Sequence, residues 1–325
     1  MAKRNPFKKM ADTSAISKPP SKREVRIDKA FRRVALSAAC MVIALLAFIL
    51  FEIFIEAAPS IQRHGFSFVT GTTWDSVKGE YGVLPEIWGT LYSSFLALLI
   101  GGAIGITIAI FLTQDFIGRR LSAIFRTIVE LLAAIPSVVY GLWGIYVLIP
   151  MIRPAANWLH ENFGFIPIFG SDLSGPGLAP AALVLAIMIL PTVAALSIDA
   201  FSRVPYKVKE AAYGMGTTRW EAILKVMTPT ASSGLLAALV LAFGRALGET
   251  MALAMLIGNS NQISLSLFAP ANTLASLLAS SFPEASQIEV QALLYAALVL
   301  LLITFIVNII GQTIQTMAMR KFEGK

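Results

Sequence analysis

Two ionisable residues, Arg245 and Glu249, lie inside an otherwise apolar stretch at about residues 232–257. A charged residue at the centre of a bilayer costs about 2.5 to 3.5 kcal/mol on insertion scales, so such residues face a protein interior or a water-filled path and are functional by default. Their four-residue spacing predicts a shared helix face and an ion pair. Because the planar, permanently charged guanidinium donates two parallel hydrogen bonds, the pair predicts a reversible oxyanion site. The alternative is a purely structural ion pair.

A second pattern lies in the segment 199–231, where residues 210–216 read Glu-Ala-Ala-Tyr-Gly-Met-Gly. The residues before the glycines, 206–213, suit a short helix. Gly214 and Gly216 permit a tight turn with positive φ, since glycine has no Cβ.

The residues that follow this turn predict a second helix. Thr217 or Thr218 can cap it, and Pro229 ends it. Its apolar side chains fall at helical spacing: Trp220, Ile223, Leu224 and Met227. The pattern predicts a helix–turn–helix finger exposed to the cytoplasm, with a small-residue knob at Ala211 and Ala212 that can seat in a partner's groove.

The motifs of several enzyme classes are absent from the sequence. It contains no G-x-x-x-x-G-K-[ST] phosphate loop, no H-E-x-x-H and no G-x-S-x-G. Cys40 is the only cysteine, and there are only two histidines. We therefore expect no catalytic residues, no metal and no cofactor, and the energy for any transport must come from a partner or an ion gradient.

The composition indicates the elements that position these residues. Hydrophobic residues make up 56% of the 325 residues and charged residues only 14%, against about 25% in soluble domains. A helix needs about 20 apolar residues to cross a bilayer. Six segments qualify, at about residues 34–55, 88–112, 124–149, 178–198, 232–257 and 290–319. The sequence predicts an all-α polytopic membrane protein with six transmembrane helices.

The basic residues are unevenly distributed, in a way typical of membrane topology rather than nucleic-acid binding. Eleven of the 26 lysines and arginines precede residue 34, and only Arg63, Lys78 and Arg153 fall on the opposite side of the predicted membrane. Because Lys and Arg concentrate in cytoplasmic segments, both termini are predicted to be cytoplasmic. The predicted organisation is listed in chain order: basic tail 1–33, first span 34–55, external loop 56–87, and core 88–319 containing the cytoplasmic loop 199–231.

The cytoplasmic loop resembles the signature E-A-A-x-x-x-G-x9-I-x-L-P of the permease subunits of bacterial ABC importers. The matching residues are Glu210, Ala211, Ala212, Gly216 and Pro229, whereas Val226 replaces Ile and Thr228 replaces Leu. The resemblance implies a type I ABC importer permease fold. It also implies that the loop docks on a separate ATPase subunit, and the expected coupling residues are Glu210, Ala211, Ala212, Gly214 and Gly216.

Other segments resemble the permeases of phosphate-specific importers, over roughly residues 85–320. They are residues 134–141, 185–191, 244–252, 257–259 and 282–285. This resemblance implies that phosphate passes Arg245 and Glu249, and we include the adjacent Thr250 as a candidate path residue. It also implies a place in the cytoplasmic (inner) membrane and partners, namely a second permease subunit, two ATPase subunits and an external phosphate-binding protein.

Two alternatives stay open on the residues alone. A permease for sulfate or molybdate would use an arginine in the same way, because these oxyanions are similar to phosphate in size. A membrane scaffold or sensor of phosphate supply would need no permeant. An intramembrane enzyme is disfavoured, since no catalytic constellation is present.

Overall fold

The computed structural model describes residues 21–322, and residues 1–20 and 323–325 lie outside it. The described chain divides into two units, and the division falls between Ile55 and Glu56. A capping box begins helix α1 (Lys22–His64): the backbone N–H of Ser21 donates to Glu24 Oε2 at 2.7 Å and that of Glu24 to Ser21 Oγ at 3.2 Å. Residues 1–20 of the predicted basic tail are outside the described chain, and its remainder is helical from Lys22 onward.

The second unit is almost entirely helical. Its helices are α2 (Ser67–Thr70), α3 (Leu84–Thr113), α4 (Arg119–Leu132), α5 (Ser137–Trp143), α6 (Ile149–Phe163), α7 (Leu178–Ser202), α8 (Tyr206–Gly214), α9 (Arg219–Glu221), α10 (Thr228–Thr230), α11 (Ser232–Leu247), α12 (Met251–Leu256), α13 (Leu274–Ser281) and α14 (Gln287–Phe322). Short π-helical turns join α5 to α6 (Gly144–Leu148) and α9 to α10 (Ala222–Met227). One antiparallel hairpin pairs β1 (Trp74–Asp75) with β2 (Glu80–Tyr81).

The described residues contain five helical segments long and apolar enough to cross a membrane. They are Lys22–His64, Leu84–Thr113, Ser137–Phe163, Leu178–Ser202 and Gln287–Ala318. A sixth is a bent pair, Arg219–Thr230 with Ser232–Leu247, whose axes differ by 70°. Only its second arm falls in the predicted span 232–257, whereas its first arm falls in the predicted loop 199–231. The number of segments agrees with the six predicted spans when the bent pair counts as one, but the first, the third and the bent pair differ clearly in extent from the prediction.

The third span begins later than its apolar composition indicates. The helix over 124–149 is interrupted at residues 133–136, because a proline at 136 disfavours helical backbone in the preceding residue and can only begin a new helix. Arg126 and Glu130 therefore lie on α4, outside the span, where they form an ion pair at 3.1 Å. Arg126 also reaches Asp199 on α7 at 3.8 Å.

Helix α7 is the most buried of the candidate spans, and α3, α11, α5, α12 and α4 all pack against it. Two glycines of α3, Gly101 and Gly105, lie at a close contact with α7. A Cβ at Gly101 would lie 2.6 Å from the carbonyl oxygen of Ala186, and one at Gly105 would lie 2.8 Å from Val193 Cβ. The absence of these two side chains allows the backbones of α3 and α7 to approach each other.

We expect Gly101→Ala to destabilise the protein even though alanine is the better helix former. The nearest neighbour of the new methyl group is a backbone carbonyl, which cannot rotate away, so overpacking should cost about 1–3 kcal/mol. The measurement is the midpoint of thermal unfolding in detergent. Gly175→Ala is the control, because nothing lies within 4 Å of a Cβ there. A midpoint for Gly101→Ala equal to that of the control would contradict the packing argument.

Candidate functional site

The predicted ion pair between Arg245 and Glu249 does not form. Helix α11 ends at Leu247, and Gly248 occupies its C-cap, so the four-residue spacing no longer places both side chains on one helical face. Within residues 21–322 none of the four ion pairs involves either residue. The physical reason is the glycine, which destabilises a helix interior and favours a helix end. Gly248 therefore caps α11.

Arg245 instead lines a cavity of about 440 Å³. Its Nη1 donates to Thr192 Oγ1 at 3.0 Å, which joins α11 to the middle of α7 immediately after Pro191. The cavity is lined by Thr192, Leu241, Gly244, Arg245, Thr304 and Asn308. Three helices thus bring a guanidinium, two hydroxyls and a carboxamide together.

The charge of Arg245 has no acidic partner among the described residues. A guanidinium has five N–H donors, and only one of those on Arg245 is used, by Thr192, within the described chain. An unpaired cation inside an apolar span is unfavourable against lipid, so this face belongs toward water or another subunit. The cavity consequently favours an anion that accepts several hydrogen bonds.

The other two predicted path residues lie at the interruption between α11 and α12. The N–H of Glu249 is 3.4 Å from the carbonyl oxygen of Ala246, and the hydroxyl of Thr250 donates to the carbonyl of Gly248 at 3.2 Å. Neither residue lines the Arg245 cavity. The structure thus does not bring the three predicted path residues into one site.

Sequence reasoning missed Thr192, Thr304 and Asn308. A usable signal was present for Asn308, because a carboxamide inside an apolar span needs a polar environment just as a charge does. Thr304 precedes it by four residues and therefore shares its helix face. No signal in the sequence indicated that this face of α14 meets Arg245.

The predicted helix–turn–helix finger follows its predicted path. Helix α8 covers Tyr206–Gly214, and Gly216 adopts the predicted positive φ of 80°, whereas Gly214 remains helical. Thr218 caps the next helix in a capping box with Glu221: its Oγ1 accepts from the N–H of Glu221, and the carboxylate accepts from the N–H of Thr218 at 3.0 Å. Pro229 lies within α10 rather than at its end, since proline is tolerated in the first turn of a helix.

The two alanines of the predicted knob have different environments. Ala212 is buried in a cluster with Ile223 and Met227, and it fixes α8 to the second arm of the finger. Ala211 and Glu210 are exposed. The prediction of a two-alanine knob is therefore wrong for Ala212, because the two neighbouring side chains point to different sides of the helix. The large exposed apolar side chains of the finger are Tyr206, Tyr213, Met215, Trp220 and Leu224.

The finger is tied to the loop that joins α3 and α4. The Arg219 guanidinium lies 4.0 Å from the centre of the Phe116 ring and donates to the carbonyl oxygen of Gln114. Trp220 also packs on Phe116, with ring centroids 5.3 Å apart. The finger thus contacts the residues that directly follow the C-terminal end of α3, and α3 is the helix that packs most extensively on α7.

Comparison with known proteins assigns the family. Residues 101–323 match the family described as "Binding-protein-dependent transport system inner membrane component". The "Phosphate transport system permease protein PstC" of Pasteurella multocida is 40% identical over 310 residues, covering 92% of this chain and 94% of that protein. The protein of the same name from Haemophilus influenzae is 41% identical over 310 residues, with coverages of 92% and 96%. The chain belongs to the binding-protein-dependent transport permeases, in the branch that carries the name PstC.

Solved structures agree on the fold. The chain aligns with an inward-facing MetNI methionine ABC transporter at a TM-score of 0.54 and 19% identity, over 73% of this chain and 95% of that chain. It aligns with a bacterial ABC transporter involved in the import of the acidic polysaccharide alginate at a TM-score of 0.53 and 19% identity, over 89% and 99%. The predicted type I importer permease fold is confirmed, and the chain is a membrane-spanning permease subunit of an ABC transporter rather than an enzyme.

We expect Thr218→Ala to loosen the second arm of the finger. Loss of the cap should destabilise the helix by about 1 kcal/mol. This corresponds to roughly five-fold faster amide hydrogen exchange over residues 219–224, which mass spectrometry can measure. Hydrogen bonds from Thr218 and the nearby Lys225 lower the pKa of Glu221 from its ordinary value of 4.5 to about 2. The Glu221 carboxylate therefore stabilises the folded finger fully above pH 4.5, and this stabilisation is lost only as the pH falls through about 2. Equal protection in Thr218→Ala and in the cap-preserving Thr218→Ser would contradict this.

Proposed function

We propose that this chain is a permease subunit of an ATP-driven importer that moves inorganic phosphate into the cell. The observation that carries the proposal is the Arg245 guanidinium, which lines a polar cavity between apolar helices without an acidic partner in the described chain. The relatives at 40% and 41% identity that are named phosphate transport system permeases supply the substrate class.

The proposed location is the cytoplasmic (inner) membrane, with both termini inside the cell. The distribution of lysine and arginine supports this orientation, because basic residues concentrate on the cytoplasmic side. An even number of spans also returns the chain to its starting side. In this orientation the finger made of α8 to α10 faces the cytoplasm.

The proposed partners are those that the phosphate importer requires. They are a second permease subunit of the PstA type, two ATPase subunits of the PstB type and an external phosphate-binding protein of the PstS type. The absence of any phosphate-loop motif in this sequence supports a separate source of ATP hydrolysis. The exposure of Arg245 supports a second permease subunit, since this face is unsuited to lipid.

In the proposed mechanism Arg245 exchanges a weak neutral partner for a charged one. Without the anion its Nη1 is held by the hydroxyl of Thr192. A phosphate oxygen in the cavity would accept stronger, charge-assisted hydrogen bonds from the guanidinium. Glu249 and Thr250, at the interruption between α11 and α12, are the proposed residues that the anion meets next. Because Glu249 is negative, it would favour release rather than retention of the anion.

Transport also requires that the site open to each side of the membrane in turn. We assign the coupling to Glu210, Ala211, Gly214 and Gly216 at the finger surface, with Ala212 holding α8 in place from beneath. ATP binding would draw the ATPase subunits together and move the finger. The contacts of Arg219 with Gln114 and Phe116 would pass this movement to the base of α3. Rocking of helix bundles around a central site is the usual form of alternating access.

We expect Arg245→Lys to reduce phosphate uptake at least ten-fold while the protein remains at normal abundance in the membrane. Lysine keeps the charge but lacks the planar fork that binds an oxyanion through two hydrogen bonds. The measurement is uptake of radiolabelled phosphate at low external phosphate in cells that depend on this permease. Arg153→Lys, the same exchange at an exposed arginine that donates to the carbonyl oxygen of Ser174, is the control.

Normal uptake by Arg245→Lys would rule out the oxyanion role of this residue. Unlabelled sulfate or molybdate in excess distinguishes the substrate, because either would displace label if the permease carried it. Uptake that does not depend on this chain at all would contradict the phosphate proposal and leave only the permease fold.

We expect Glu210→Lys to separate ATP hydrolysis from transport. The residue is exposed on α8, so a charge reversal should leave folding and membrane insertion intact and disturb only docking. The measurement is co-purification of the ATPase subunits together with phosphate-stimulated ATP hydrolysis. Glu161→Lys, a reversal at an exposed position on α6, is the matched control. Full ATPase association and full transport by Glu210→Lys would show that this position does not couple.

A further inference from the structure

Asn308 is a polar side chain in the middle of α14 for which the described structure gives no hydrogen-bond partner. It lines the same cavity as Arg245. Its carboxamide packs on Gly244, where a Cβ would lie 3.3 Å from Asn308 Oδ1 and 3.8 Å from Nδ2. Because Gly244 has no side chain, the amide of Asn308 fits against the backbone next to Arg245.

The surroundings of Asn308 are unsuited to a carboxamide unless a ligand or water meets it. Its neighbours on α14 are apolar and exposed, namely Phe305, Ile306, Ile309 and Ile310. An unsatisfied amide in an apolar environment costs several kcal/mol in transfer free energy. Facing the polar cavity is therefore more favourable for the amide than facing apolar side chains. Its two N–H donors and its oxygen acceptor have no partner in the described structure.

The other neutral groups of the cavity have already used part of their capacity. The hydroxyl of Thr192 accepts from Arg245 at 3.0 Å. The hydroxyl of Thr304 donates to the carbonyl of Leu300 at 2.8 Å and has no further proton to donate. Asn308 is the lining residue whose donors and acceptor are all unpaired within the described chain, and it holds them on one planar carboxamide.

We propose that Asn308 determines the specificity of the anion site: its Nδ2–H donates to one phosphate oxygen, and its Oδ1 accepts the proton of a P–OH group. This inference rests on the proposed phosphate function. Phosphate carries at least one such proton near neutral pH, whereas sulfate carries none. A cation alone attracts both anions. An acceptor beside the cation meets the P–OH proton of phosphate but faces only lone pairs on sulfate, so it distinguishes the two.

The test uses the purified complete complex in detergent without the external binding protein, so that the permease alone selects the anion. Equilibrium binding of radiolabelled inorganic phosphate is measured against unlabelled phosphate and sulfate. The variants are Asn308→Leu, which removes both hydrogen-bonding groups, and Asn308→Ser, which retains a hydroxyl donor and acceptor. Gln312→Leu is the matched control, since it removes a carboxamide from the same helix outside this cavity.

The expected result for Asn308→Leu is at least ten-fold weaker phosphate binding and a ten-fold lower preference for phosphate over sulfate. Asn308→Ser should recover part of that preference, and Gln312→Leu should match the unmodified complex. A merely structural role would change the thermal midpoint and affect both anions equally. Equal affinity and preference in Asn308→Leu and Gln312→Leu, equal weakening for both anions, or no saturable phosphate binding to the unmodified complex would overturn the inference.

The two proposals fail in distinguishable ways. If phosphate uptake depends on this chain and on Arg245 while Asn308→Leu keeps its preference, only the role of Asn308 is lost. If uptake does not depend on this chain at all, the proposed function fails as well.

Discussion

The close approach of α3 to α7 is the constraint on which the rest of the structure depends. Gly101 and Gly105 allow it, since a Cβ at either position would overlap the facing helix. Hydrophobic burial offers little drive between helices in lipid, so close packing of small residues supplies the association. In α7, Thr192 lies in the middle of the helix and accepts a hydrogen bond from Arg245 of α11.

In the low dielectric of a membrane, every polar group that lacks a hydrogen-bond partner raises the free energy of the bundle. Arg245 has only a neutral hydroxyl as its partner in the described chain, and Asn308 has none. In water both side chains would hydrogen-bond to solvent, and their proximity would have little energetic consequence. Between apolar helices they line a cavity with several donors and one positive charge, an arrangement that suits an anion.

The finger and the cavity lined by Arg245 lie at different places along the chain. The finger rests on its own small core around Ala212, Ile223 and Met227, and α11 follows it after a 70° bend. Arg126 on α4 also reaches Asp199 on α7 at 3.8 Å, near the start of the finger. The finger thus contacts the residues after α3 through Arg219, and α7 and α11 flank it in the chain.

Local sequence was enough to predict six apolar segments, the finger with its turn at Gly216 and its cap at Thr218, and a cation within an apolar span at 245. These features depend on local composition, propensity and the energy of burial, which neighbours in the chain decide. The partner of Arg245, the separation of Glu249 from it and the placement of Asn308 at the same cavity became visible only in the folded chain. The first and third of these features depend on which faces of α7, α11 and α14 meet. The position of Glu249 depends on the end of α11 at Gly248, which the continuous apolar composition of the segment does not indicate. Contacts between helices far apart in the chain leave no periodicity in either segment, so only the packed bundle reveals them.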